Sequence, residues 1–150
     1  MKRIVFVFAF LVAVVSSFGQ TQNPVNWTAE AKKKTADTYE VVFTADIENP
    51  WHLYSQNTGK GGPIPTKLSF KTNPLITVTG KAKEIGKLEK TYDKNFKTDV
   101  LFFSDKVQFV QVVKVKGGAK TNVGVTVEYM VCDDSQCLPP TKKTFDLKLQ

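Results

Sequence analysis

Histidine and cysteine are both scarce in this chain: one His, His52, and two Cys, Cys132 and Cys137, stand among 150 residues. Three such side chains fall short of a four-ligand structural zinc site, so no metal is expected. With one His and no Gly-x-Ser-x-Gly elbow, nothing assembles a nucleophile–His–acid triad, and hydrolase chemistry has no support. Helical 3.6-residue patterning is almost missing, which argues against a helical fold. Long apolar runs are missing too. The longest, Ile4 to Val15, has 12 residues, where a membrane-crossing helix needs about 20.

That run has a different reading. Met1-Lys2-Arg3 is a short positive start, the apolar stretch follows, and Ser17 and Gly19 supply the small-x-small pattern a signal peptidase accepts. Residues 1–19 are therefore expected to be a secretory signal peptide cleaved after Gly19, and 20–150 the mature domain. No Cys lies beside the cleavage region to carry a lipid. Export places the product in a periplasmic or extracellular space, soluble after cleavage. Loss of Lys2 and Arg3 lowers the formal charge from +7 to +5. The remaining excess is spread as Lys singles and pairs, with one run at Lys32-Lys33-Lys34 and no aromatic-basic interleaving. Such a distribution reads as a solvated basic surface rather than a nucleic-acid site.

The body of the chain alternates with a period of two. Tyr39, Val41, Phe43, Ala45 and Ile47 share one face of a strand over 38–47; Val107, Phe109, Val113 and Val115 repeat the pattern over 106–116, and Val123, Val125, Val127 and Tyr129 over 121–131. Weaker strand signals lie at 27–33, 51–54, 67–70, 75–79, 100–103 and 143–149, the last with Phe145, Leu147 and Leu149 on one face. Gly59-Lys60-Gly61-Gly62-Pro63, Asn73-Pro74, Gly117-Gly118 and Leu138-Pro139-Pro140 separate them as turns and loops. Eight or nine short strands at this spacing predict an all-β sandwich in one domain.

Cys132 and Cys137 end one strong strand and precede the last one. Two thiols this close in an exported chain are expected to form a disulfide, with Cα atoms about 4.4 to 6.8 Å apart. Closing about six residues is worth only ~2 kcal/mol by the chain-entropy estimate, little for a sandwich of this size. The short loop leaves both a structural and a chemical role open. Asp133 and Asp134, as like-charged neighbours of a thiolate, hold a Cys pKa at or above about 8.5, and no helix N-terminus is expected there to lower it. A dithiol of this kind is attacked by a more strongly activated partner rather than starting exchange unaided.

The stretch Val125 to Cys132 followed by Cys137-Leu138-Pro139-Pro140-Thr141-Lys142, together with Trp51-His52-Leu53-Tyr54-Ser55 and Ile64-Pro65-Thr66, resembles the N-terminal periplasmic domain of the transmembrane thiol:disulfide interchange protein DsbD over essentially the whole mature chain. The resemblance implies an immunoglobulin-like antiparallel β-sandwich whose two Cys, here Cys132 and Cys137, alternate between dithiol and disulfide without a cofactor. It implies electrons received from a thioredoxin-like domain fed through the membrane and passed to thioredoxin-fold periplasmic partners such as disulfide isomerases and cytochrome c maturation factors. A redox carrier domain of the protein-disulfide reductase type is implied, rather than a complete enzyme. The family covers its disulfide with an aromatic cap loop, and Tyr92 to Lys97 falls in that place, with Phe96 as the cap and Asp93 beside it. His52 and Tyr54 then flank the site. Cys137 is favoured over Cys132 as the sulfur that forms the mixed disulfide.

This chain departs from the pattern in having four residues, Asp133 to Gln136, between the cysteines where the best-known members have five. It also stops at Gln150 without transmembrane helices or a thioredoxin domain, so the expectation is that another protein, such as a membrane electron donor, supplies its electrons, or that the redox role has been lost. The competing expectation, from a different class, is an immunoglobulin-like binding or assembly module whose disulfide only closes a loop.

Overall fold

The computed structural model describes residues 23–94 and 96–150; the expected signal peptide lies outside them. Eleven strands run in chain order: β1 (Val25–Lys33), β2 (Thr38–Ile47), β3 (His52–Tyr54), β4 (Lys67–Phe70), β5 (Ile76–Gly86), β6 (Glu89–Asp93), β7 (Thr98–Phe103), β8 (Lys106–Val115), β9 (Thr121–Tyr129), β10 (Val131–Cys132) and β11 (Thr141–Leu149). The sole helical element among the described residues is a 3-10 turn at Lys116–Gly118. All strand pairs are antiparallel and form three sheets, ordered β1-β2-β8-β5, β10-β3-β7-β6 and β11-β9-β4. This is the expected all-β, immunoglobulin-like antiparallel sandwich.

The period-2 faces close on one another. Val41, Phe43 and Ala45 of β2, Val107, Phe109 and Val113 of β8, and Val123, Val125 and Val127 of β9 are buried in one core, and Trp27 stacks on Phe109 with ring centroids 5.8 Å apart. Leu53, Phe103 and Val131 bring the inner face of the β10-β3-β7-β6 sheet into that same core. Apolar area removed from water, at about 25 cal/mol per Å², is what holds these layers together.

Three elements differ from the sequence expectation. The strand expected at 75–79 continues to Gly86 through a bulge between Thr79 and Lys83. Gly80 takes the left-handed backbone there (φ 68°), and the buried Gln111 amide donates to the Thr79 carbonyl at 2.8 Å, so the freed backbone groups are satisfied. Strand β6, Glu-Lys-Thr-Tyr-Asp, was not anticipated, because it is a polar edge strand with no apolar alternation. The single strand expected over 121–131 divides at Met130: β9 stays with β11 and β4, and β10 crosses to pair with β3.

Phe109 is fully buried at the centre of the core. Phe109→Ala is expected to destabilise the domain by about 3 to 5 kcal/mol, read as a lower urea midpoint at unchanged slope.

Candidate functional site

Sheet β10-β3-β7-β6 carries apolar residues on both faces, and its outer face builds the site. Registers Val131↔Leu53 and Cys132↔His52 between β10 and β3, and Leu53↔Phe103 and Tyr54↔Phe102 between β3 and β7, sort the side chains. Leu53, Val131 and Phe103 point into the core. Tyr54, Val100 and Cys132 form a separate buried cluster on the opposite face, with Phe102 and Met130 packed against it. Strand alternation alone produces this division.

Cys132 and Cys137 form a disulfide, their Cα atoms 4.0 Å apart, slightly closer than expected from sequence. The two residues face one another as an antiparallel bridge inside a tight hairpin. The Leu138 N–H donates to the Val131 carbonyl and the Asp133 N–H to the Gln136 carbonyl, both at 2.9 Å. At the tip, the Asp133 carboxylate accepts from the Ser135 N–H and hydroxyl, both at 2.8 Å, and from the Gln136 N–H at 2.7 Å. These bonds hold Asp133 below the ordinary carboxylate range, the Ser135 N–H contributing most. Four intervening residues thus suffice, because an aspartate closes the turn.

The two sulfurs are not equivalent. Cys132 is 2% exposed among Tyr54, Val100, Phe102 and Met130, whereas Cys137 is exposed at the hairpin's outer side. The two halves of the bond thus differ in surroundings, one residue exposed and the other held in an apolar cluster.

His52 and Tyr54, two residues apart on one strand face, stand together at the site. The His52 Nε2 is 3.2 Å from the Tyr54 hydroxyl, and the imidazole lies 4.7 Å from the Phe102 ring. Tyr54 is fully buried; burial first, then Asp93, pushes its hydroxyl up to about 12. Its carbonyl accepts the Thr66 hydroxyl at 2.6 Å, and the Ile64 N–H reaches the Met130 sulfur at 3.5 Å, so Ile64-Pro65-Thr66 braces the site from behind. His52 is half-buried rather than an exposed strand residue, and Trp51 belongs to the main core.

A cleft of about 620 Å³ opens beside the disulfide hairpin, lined among others by Pro50, His52, Phe102, Asp93, Asp133 and Asp134. Asp93 begins the turn joining β6 to β7 and accepts the Phe96 N–H at 3.1 Å. Phe96 itself is half-buried in that turn, and Lys97 after it takes the left-handed backbone (φ 54°). Cys137 remains exposed with the turn in this position.

Sequence reasoning passed over Phe102, Val100 and Met130. Their signal was present: Val100 to Phe103 is apolar at four successive positions, and a strand apolar on both sides is covered on both sides. No group of three or more potential metal ligands occurs among the described residues.

Residues 21–149 match the family model described as thiol:disulfide interchange protein DsbD, N-terminal. No curated protein matches the sequence. Among solved structures, the N-terminal periplasmic domain of ScsB from Proteus mirabilis is similar at a TM-score of 0.62 and 14% identity, over 85% of this chain and 47% of that one. This chain thus spans about half the length of that structure. The Neisseria meningitidis DsbD N-terminal domain in the reduced form gives a TM-score of 0.53 at 18% identity, over 80% and 82% of the two chains. The complex between the DsbD and PilB N-terminal domains from Neisseria meningitidis gives 0.50 at 16% identity, over 80% of each. At these identities the likeness is one of fold.

Unequal burial makes the thiols distinguishable. After reduction under native conditions, iodoacetamide is expected to label Cys137 at least about ten-fold faster than Cys132, as followed by peptide mass mapping.

Proposed function

The chain belongs to the family of the DsbD N-terminal domain, and from that premise we propose that it is an exported thiol–disulfide exchange module whose Cys132–Cys137 pair carries electrons between thioredoxin-fold partners. The observation that carries this reading is the placement of the disulfide. It lies on the outer face of a sheet, within one hairpin, with Cys137 exposed, Cys132 buried, and an open cleft beside the hairpin's aspartates. A crosslink meant to hold the sandwich would join distant strands, where the entropic gain is larger.

In the proposed step a partner thiolate attacks the Cys137 sulfur. The Cys132–Cys137 bond breaks, a mixed disulfide forms on Cys137, and Cys132 becomes the thiol that later resolves it. Electrons arrive from a membrane-fed donor and leave to thioredoxin-fold proteins of the exported compartment. The Neisseria relatives support this direction of thought, one being described in the reduced form and the other in complex with the PilB N-terminal domain. Residues 1–19 serve as the export signal in this scheme. Among the described residues no helix is long and apolar enough to cross a membrane. The chemistry needs no cofactor, since both electrons reside in the sulfur pair.

Phe96 acts as the cap in a closed position of its turn; in the structure Cys137 is exposed. The turn that carries it springs from Asp93 and Lys94, which line the cleft next to the disulfide hairpin. An aromatic edge laid on sulfur is worth ~0.3 to 1.5 kcal/mol, enough to shield the bond from small thiols and weak enough for a docking partner to displace.

Equilibrium titration against a glutathione or dithiothreitol buffer tests the exchange reading. A potential between about −180 and −270 mV is expected, and one well below about −300 mV would make the bond a loop staple and favour a binding or assembly module. For the cap, Phe96→Ala is expected to speed reduction by small thiols several-fold with the fold intact; an unchanged rate would remove Phe96 from the role.

A further inference from the structure

Reduction of the disulfide creates a problem that the apolar cluster sharpens. The sulfur released is Cys132, and a thiolate left among Tyr54, Val100, Phe102 and Met130 is strongly disfavoured without a proton or a hydrogen bond. The leaving sulfur therefore needs a proton on its own side of the bond.

Two side chains on that face can supply one. His52 is the register partner of Cys132, and directly opposed antiparallel residues have Cβ atoms about 4.5 to 5.5 Å apart on the same face. Tyr54 packs in the same cluster as Cys132, and its hydroxyl lies 3.2 Å from the His52 Nε2. His52 lines the open cleft, so the imidazole lies on the solvent side of the pair while Tyr54 packs in the cluster that holds Cys132. Phe102, against the imidazole face at 4.7 Å, holds the ring in place.

Resting on the exchange reading above, we propose that His52, acting through the Tyr54 hydroxyl, is the proton donor to Cys132 when the disulfide is reduced and the proton acceptor when Cys132 attacks in the reverse direction. The forward step balances as follows. A reductant thiolate bonds to the Cys137 sulfur, the Cys132–Cys137 bond breaks, and its electron pair goes to the Cys132 sulfur. The Tyr54 hydroxyl gives that sulfur its proton, and the His52 imidazolium replaces it at Tyr54 and becomes neutral. Solvent in the cleft then reprotonates His52.

Charged groups face His52 from each neighbouring element. Glu89 and Asp93 come from β6, Asp133 and Asp134 from the disulfide hairpin, and Lys94 lines the same cleft. Ser104 donates to Glu89 at 2.9 Å, and Asp133 is taken up by its turn. Burial lowers His52 below its ordinary value of 6.5, against these four carboxylates, which pull it upward. The imidazole is therefore neutral and a base at pH 7, and becomes the acid form only as pH falls.

Reduction of the oxidised protein by dithiothreitol, followed from about pH 4.5 to about pH 8 and expressed per reductant thiolate, provides the test. In the unaltered protein the rate per thiolate is expected to rise about ten-fold or more as pH falls through the His52 titration. That titration is located independently by NMR, because the chain has one imidazole. His52→Gln keeps a polar side chain that cannot be charged and is expected to flatten the profile. Tyr54→Phe keeps the ring, removes the hydroxyl, and is expected to flatten it while the imidazole still titrates. A flat profile in the unaltered protein overturns the proposal, as does a rise with the same midpoint in folded His52→Gln, which would assign the proton to the carboxylates. Should Tyr54→Phe not fold, His52→Gln alone decides. Failure of the exchange reading is separately visible as a structural-range potential in the equilibrium titration.

Discussion

Everything at the site depends on the register between two very short strands. Pairing Cys132 with His52 and Val131 with Leu53 sends the cysteine and histidine to the outer face and the two aliphatics to the core. A slip of β10 by one residue against β3 would turn Cys132 into the core and Val131 onto the outer face. The register is held at both ends of the outer cluster. Leu138 bonds back to Val131 on one side, and Thr66 fixes the Tyr54 carbonyl on the other. Two paired residues could not hold such a register alone; the buried contacts on both faces of the sheet hold it for them.

The same sheet explains why a basic protein has an acidic site. Most of the lysines project from the solvent faces of strands, whereas Asp93, Asp133 and Asp134 gather around the cleft because a hairpin and a turn both begin with aspartate there. Asp133 closes the disulfide hairpin by accepting three hydrogen bonds, so its charge is used to shape the backbone. Its lowered pKa means that the turn gains from the ionised carboxylate above the ordinary range and loses that gain as pH falls through the lowered value. Acid therefore acts on two groups of the site, loosening the hairpin tip through Asp133 and protonating His52. The two effects are separated by residue: one belongs to the loop, the other to the strand opposite.

Much of this was legible in the sequence where one physical rule dominates. The faces of β2, β8 and β9 followed from strict alternation of Val, Phe and Tyr, because burial against another sheet leaves no other arrangement for them. The resemblance to a known family, rather than any one rule, singled out His52 and Tyr54 beside the Cys pair, and the register of β3 and β10 does set His52 opposite Cys132. Strand β6 was not legible, since an edge strand of Glu, Lys, Thr, Tyr and Asp owes its existence to β7 beside it rather than to its own composition. Nor did alternation reveal that Met130 is a hinge between two sheets, because Val131 and Cys132 continue the apolar pattern while changing partners. Pairing is a property of two segments, and a single segment's pattern does not name its partner.

The hairpin also determines what kind of redox chemistry is open to the pair. In a Cys-x-x-Cys at a helix N-terminus, the helix dipole stabilises the attacking thiolate and reactivity comes from a lowered pKa. No helix adjoins Cys132 or Cys137; the described chain around them is strand and turn, with aspartates at the tip. In the proposed exchange, reactivity comes instead from access to one residue of the pair and from proton supply to the other. In that scheme Cys137, which is exposed, gives the access, and Cys132, which the sheet buries, is the leaving group. A sulfur leaving into an apolar nest is a poor leaving group unless protonated as it goes. The lone histidine of the chain is the register partner of that cysteine across the strand pair, which is why the proposed proton route starts from it.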